Sequence, residues 1–313
     1  MAVNYLASPP KKGNSEAAAL SGKRILSLLF DLFLEKEAGT LAGEDIEFLH
    51  RMRVATRRMR SLLKVMNGVY DEERIEPINY DLRRVGQLLG EVRDIDTFVP
   101  FLRSCQTTLP KSANPAIEHV IEDRLTAREQ KLKIIRAEFK SEWYIDLKRS
   151  MAEFIAEHSF YDLESEDIQI VAPRLIENCL IKILKHRNRM YNASPAELHR
   201  QRIRFKRFRY TCEFFMSFYG NKLAPFIKEL EDIQDILGLM QDHSRDIQFL
   251  ESRKDEIVSD MKNKNASASL NDLLKHFHKS IEQEHRKFLL TWRIFTLPEN
   301  ELRYLYIIRN GIV

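Results

Sequence analysis

A histidine followed by bases at +3, +7 and +10 occurs twice in this chain, once as His50, Arg53, Arg57 and Arg60 and again as His199, Arg202, Lys206 and Arg209. Steps of three and four gather residues on one side of an α-helix and scatter them over both faces of a strand, so both stretches read as helices. A second feature keeps almost the same interval. Leu89-Gly90-Glu91-Val92-Arg93-Asp94 parallels Leu237-Gly238-Leu239-Met240-Gln241-Asp242; the histidines lie 149 residues apart and the glycines 148. Two features sharing one interval argue for duplication of a helical unit. Each half has room for about four main helices, the number that encloses an apolar seam in a bundle. The expected fold is all-α: a duplicated helical unit with about four main helices in each half.

The rest of the chain agrees with a helical reading. Apolar residues recur at three and four, as in Ile25-Leu28-Leu29-Leu32-Phe33 and Leu180-Ile183-Leu184. Asn114-Pro115 and Ser194-Pro195 each place a cap residue before a proline, and Ser194 with Glu197 makes a capping box. The pattern predicts helices over 16–37, 44–67, 71–107 with a break near 93, 115–157 with a break near 141, 172–192, 195–218, 222–262, 270–292 and 299–309. It divides the chain into a tail (1–14), a first repeat (15–160), a second repeat (161–292) and a C-terminal extension (293–313). Residues 158–171 read as an acidic, polar connector and 263–269 as a polar loop.

Phase shows what each basic stretch does. On a helix, His50, Arg53, Arg57, Arg60 and Lys64 fall within a sector of roughly 80° and extend over about 21 Å. Met52, Ala55, Met59, Leu62, Leu63 and Met66 take the opposite side. The second helix sets its bases against Phe208, Cys212 and Phe215. Lys182, Lys185 and Arg189 form a third basic stripe just upstream. Like charges one turn apart repel by a few tenths of a kcal/mol, and the usual relief is an interleaved glutamate. Neither box contains a carboxylate, yet together they hold about a quarter of the 50 Lys and Arg in a chain of net charge only +4. Such a face suits a polyanion, with arginine supplying bidentate contacts to phosphate oxygens. The histidine opening each box adds a donor, cationic when protonated.

These motifs resemble the signatures of the CHAD family, the conserved histidine α-helical domain. His-x-x-Arg-Val-x-x-Arg-Arg-x-Arg at 50–60 is similar to the family's first signature, and His199 through Tyr210 to Glu213-Phe214-Phe215 to its second. Leu82-Arg83 through Leu89-Gly90 to Arg93-Asp94-Ile95-Asp96 resembles the leucine-glycine-arginine-aspartate segment. Leu230 through Gln234-Asp235 to Leu237-Gly238 and Asp242 resembles its counterpart. The resemblance covers roughly 17–290. It implies two four-helix bundles related by an internal pseudo-twofold duplication, with inorganic polyphosphate bound in the basic channel between them. The implied ligand residues are His50, Arg53, Arg57, Arg60, His199, Arg202, Lys206 and Arg209, with Arg83 and Arg93 beside them. Lys64, Lys182, Lys185 and Arg189 join on the residue pattern. Gln87 stands where relatives usually carry a base, and Gln241 stands opposite Arg93 in the repeat. The Glu-x-Glu-x-Lys motif of the triphosphate-tunnel domain that precedes many relatives is absent, which implies a standalone binder without a hydrolase.

Other chemistries fit less well. Glu47-x-x-His50 and Glu282-x-x-His285 have the spacing of di-metal carboxylate bundles. They do not occupy matching places in the repeat, and the bases beside His50 oppose a dication. His276, His278, Glu282 and His285 could share a metal on one late helix, although a solvated amphipathic helix explains them as well. Gly22-Lys23 is followed by Arg24, with Ala17 where a P-loop needs glycine. Cys105, Cys179 and Cys212 sit singly in apolar patterns, which fits a reducing compartment. Residues 1–14 lack the apolar region of a signal peptide, and the longest apolar run, Ile25–Leu34, is too short to span a bilayer. Asp94, Asp96 and Asp242 read as caps or as anchors for box arginines. Single-stranded nucleic acid is the rival partner, but Phe205 and Phe208 phase toward the core. The sequence thus predicts no catalysis, no cofactor, no metal and no membrane partner. It predicts a cytoplasmic protein associated with polyphosphate-containing granules, and leaves the oligomeric state open.

Overall fold

In the computed structural model, residues 16–157, 165–261 and 264–312 are described, and they contain helices and short 3-10 turns but no strand. In chain order the helices are α1 (Ala18–Ala42), α2 (Ile46–Val65), α3 (Glu72–Thr108), α4 (Asn114–Glu138), α5 (Glu142–Ala156), α6 (Ile168–Leu184), α7 (Pro195–Phe214), the single turn α8 (Met216–Tyr219), α9 (Ala224–Ser252), α10 (Lys254–Asp260), α11 (Ala266–Phe295) and α12 (Pro298–Asn310). In the first half α1 packs on α2, α2 on α3 and α3 on α4; in the second α6 packs on α7, α7 on α9 and α9 on α11. The first helices of the two halves start side by side. Ala18 N–H donates to Glu166 O and Ile168 N–H donates to Glu16 O, each at 2.9 Å.

Local sequence explains the two basic helices. The Asp45 side chain caps α2 by accepting from Glu47 N–H, and Gly68, at φ 84°, lets the chain turn back toward α3. Met52, Ala55, Met59, Leu62, Leu63 and Met66 are all buried, as their phase requires. On α7 the capping box of Ser194 and Glu197 is complete and Pro195 lies in the first turn. Phe205, Phe208, Cys212 and Phe215 are buried beneath it.

Several boundaries differ from the sequence reading. Helix α3 is unbroken at 93. Asn114 is already helical because a 3-10 turn, Lys111–Ala113, runs directly into α4. Helix α6 starts at Ile168 and stops at Leu184, followed by a separate 3-10 segment over Asn188–Asn192. The expected 222–262 helix breaks at Arg253, whose guanidinium turns to pair with Asp123 and Glu256. Ala266–Ser269, expected as loop, begins α11, and Ser269 is buried with its hydroxyl accepting from Ala116 N–H. The tail 1–14 and residues 158–164 of the acidic connector lie outside the described residues.

The two halves share their interior. One core cluster joins α1, α2, α5, α6 and α7 to the ends of α11 and α12. A second takes Phe98, Leu102, Ala116, Ile117 and Val120 from the first half and Ile247, Leu250, Leu270, Leu273 and Phe277 from the second. The C-terminal extension belongs to the first cluster. Tyr304 and Ile308 are buried, the Tyr304 hydroxyl donates to Glu229, and Arg309 pairs with Glu177. Among the described residues no helix is long and apolar enough to cross a membrane.

Candidate anion-binding site

Helices α2 and α7 pack directly on each other. They run in opposite senses, with Arg58 opposite Glu213 and Lys64 opposite Arg207. Where they meet, the Arg58 guanidinium donates to Glu213 at 2.5 Å, and both groups are buried. Tyr210, 1% exposed, lies under three cations: Arg57, Arg58 and Arg209 sit 5.4, 5.5 and 5.2 Å from its ring centre. Cation–π contact lets these guanidiniums stay charged while partly withdrawn from water.

Beside this crossing stands the central cluster: Arg53 and Arg57 from α2, Arg202 and Lys206 from α7. Among the described residues none of the four side chains has a hydrogen bond or ion pair, and the Nε atoms of Arg53, Arg57 and Arg202 are buried without a partner. Burial, then Arg57, Arg202 and Arg53, push the Lys206 ammonium down from 10.5 to about 6. Arg53 and Arg202 are lowered by the same combination of burial and neighbouring cations. Buried donors are ordinarily satisfied, so the unpartnered Nε atoms of Arg53, Arg57 and Arg202 beside Lys206 make this cluster the candidate for an anion.

The leucine-glycine segments make room for these cations. A Cβ on Gly90 would lie 3.6 Å from Arg53 Nε, and a Cβ on Gly238 would lie 3.8 Å from an Arg202 guanidinium nitrogen. Both distances are ordinary contacts, so the missing side chain serves the arginine above it rather than a backbone strain. Gly90→Ala is therefore expected to stabilise the fold by up to about 1 kcal/mol with anion binding retained. Gly90→Leu should displace the Arg53 guanidinium and weaken binding. Thermal unfolding beside phosphate titration checks both; an equal loss of binding in the two variants would contradict this role.

Arg245 of α9 bridges Asp94 of α3 at 2.8 Å and Asp242 of its own helix at 3.0 Å. The aspartates thus anchor Arg245 and not a box arginine, while Asp96 holds Arg128 at 2.7 Å. Burial raises the Asp94 carboxyl against the pull of Arg245 and Arg53.

The remaining candidates divide. His50 is half-buried beside Arg93, and burial, then Arg93, lower its pKa, which favours the neutral imidazole. His199 is exposed, and its Nδ1 donates to Gln241 Oε1 at 2.6 Å; Gln241 thus takes the place that Arg93 has beside His50. Arg60 lies over Gly86, with a guanidinium nitrogen 3.8 Å from a Cβ placed there, and beside Arg83. Lys64 is exposed and lowered first by Arg207, then by burial, Arg60 and Lys182. Arg209 is neutralised, pairing with Glu231 at 3.0 Å and Glu213 at 3.4 Å. Arg189 pairs with Glu197 in the α7 capping box, and Lys185 neighbours His186, so this end of the third stripe lies off the central cluster. The sequence reading missed Arg207 and Arg245. Arg207 was visible inside the box but out of phase, and no local signal singled out Arg245.

The metal alternatives find their groups engaged elsewhere. Glu47 pairs with Arg51, Glu282 lies 3.6 Å from Arg286, and His278 faces Glu251 at 4.0 Å. Among the described residues no group of three or more His, Cys, Asp or Glu could hold a metal.

Among the described residues the chain folds as helices without a strand, and α2 and α7 pack together with their basic stretches. The CHAD domain profile matches residues 24–251, and the chain belongs to the CHAD domain family. The fold is similar to the crystal structure of the CHAD domain from the plant Ricinus communis, with a TM-score of 0.73 at 22% identity over 92% of this chain and 96% of that one. It is also similar to PptA from Streptomyces chartreusis, with a TM-score of 0.71 at 14% identity over 90% of this chain and 100% of that one. A search of curated proteins found none that matches.

Proposed function

We propose that this protein binds inorganic polyphosphate in the cleft between α2 and α7, as the cytoplasmic binding member of a granule-associated system and without catalysis of its own. The two box helices then belong to two four-helix bundles of one duplicated unit. The carrying observation is the central cluster: Arg53, Arg57, Arg202 and Lys206 converge from two helices, and among the described residues no carboxylate makes an ion pair with any of them. Membership of the CHAD family supports the same reading, because polyphosphate binding is what the resemblance implies. A chain of phosphates offers repeating oxygens to repeating guanidiniums and releases counterions as it binds. Nucleic acid fits less well. Phe205 and Phe208 are fully buried and Tyr210 nearly so, which leaves no ring face in the cluster for a base to stack on.

Calorimetric titration with long-chain polyphosphate, single-stranded RNA and tripolyphosphate tests the proposal. Preference for polyphosphate is expected, with Arg53→Ala and Lys206→Ala each weakening it about tenfold or more by loss of a charge-assisted contact. His50→Ala should weaken it less. Equal binding of RNA, or unchanged affinity in all three variants, would overturn the site.

A further inference from the structure

The two flanks of the α2–α7 crossing carry opposite charge balance. On the flank where α2 meets the end of α7, Arg58 pairs with Glu213, and Arg209 pairs with Glu213 and Glu231. Positions 149 residues apart exchange these roles on the other flank. Arg207 stands in register with Arg58, Arg60 with Arg209, and Lys64 with Glu213. On α3, Arg83 stands 148 residues before Glu231. Both carboxylates of the first flank are therefore replaced by cations on the second. Lys64 faces Arg207, Arg60 faces Arg83, and Lys182 from α6 adds a fifth charge. Among the described residues no carboxylate pairs with any of these five side chains, and Arg60 Nε is buried without a partner.

We propose that a bound phosphate chain lies off-centre, running from the central cluster onto the flank formed by Arg60, Lys64, Arg83, Lys182 and Arg207, and not onto the Glu213–Glu231 flank. The inference rests on the phosphate-chain reading of the cleft and adds a direction to it. Like charges held together without counterions repel, and a polyanion laid across them relieves that repulsion as it binds. The opposite flank offers no such gain. Its cations are already matched, and Glu231, only partly covered, would stand against the phosphates. A short ligand needs only the central four cations, whereas a long one reaches the flank. Chain-length dependence is thus built into one side of the cleft.

The test compares Lys64→Gln/Arg83→Gln with Arg209→Gln in the full chain, titrating tripolyphosphate and long-chain polyphosphate over a range of salt. Lys64 and Arg83 are exposed, so the double variant is expected to fold, which thermal unfolding verifies. The double variant should lose at least tenfold in long-chain affinity and show a salt slope shallower by about one per lost contact. Its tripolyphosphate affinity should stay within twofold, and Arg209→Gln should leave both ligands within twofold. Equal losses of long-chain affinity in the double variant and Arg209→Gln would overturn the off-centre placement while leaving the cleft intact. If the wild-type chain binds neither ligand, the phosphate-chain reading falls and this inference falls with it.

Discussion

Glu213→Ala is expected to destabilise the protein by about 3 kcal/mol, the largest loss of any single substitution considered, because it strands a buried cation. Arg58 and Glu213 are 7% and 8% exposed and make a 2.5 Å hydrogen bond between the two box helices. Removing the carboxylate leaves Arg58 buried over the Tyr210 ring, beside Arg57 and Arg209, with no other ion pair among the described residues. Burial raises the Glu213 carboxyl although Arg58 and Arg209 oppose it, which shows how much desolvation the pair must offset. Replacing both partners, as Arg58→Met with Glu213→Leu, should recover most of the loss, since no uncompensated charge remains. Urea unfolding of the two singles and the double gives the coupling directly. A loss below about 1 kcal/mol for Glu213→Ala would mean that the pair does not hold the helices together.

The second large effect concerns protons. With the Lys206 pKa at about 6, the empty cleft carries this lysine mostly uncharged at neutral pH. Burial holds it there first, then Arg57 of α2, Arg202 of its own helix and Arg53 of α2, with Asp242 of α9 opposing them. If phosphates bind there as proposed, they reverse the balance, and Lys206 is expected to take up a proton as they bind. Affinity for long-chain polyphosphate should therefore fall as pH rises above about 6, by up to tenfold per unit until the pKa of the bound state is reached. Calorimetry at pH 8 in buffers of different ionisation enthalpy should register close to one proton absorbed in the wild type and correspondingly less in Lys206→Met. His50→Gln separates the contribution of the neighbouring histidine. An unchanged proton count in Lys206→Met would sink this assignment. The same shift has a sign for stability. Between about 6 and 10.5 the unfolded chain holds the Lys206 proton and the folded chain does not, so this residue's cost to the empty fold diminishes as pH rises across that window.

Helix phase made the core-facing and anion-facing sides of both boxes legible, because a helix sorts its residues locally. Met52, Met59, Phe205 and Phe208 went inward, and Arg53, Arg57, Arg202 and Lys206 gathered in one place. Pairing was not legible, because a charge's partner is set by which helices pack. Nothing in the second box shows that Arg209 meets Glu231 of α9, or that Arg58 meets a glutamate 155 residues away. Arg245 escaped for the same reason: its two aspartates lie on different helices. The break at Arg253 was hidden too, since only Asp123 of α4, coming from the other half, explains why the helix turns there.

The second core cluster has a mechanical meaning. Helices α3 and α9 leave the cleft and merge at Phe98 and Ile247 into one apolar mass built from both halves. The Arg58–Glu213 pair ties the halves again at the crossing of α2 and α7. With both places fastened, the arms cannot spread to let the crowded guanidiniums drift apart. On the proposed function, a matching anion would then relieve the repulsion among these cations without the two halves first having to close on it.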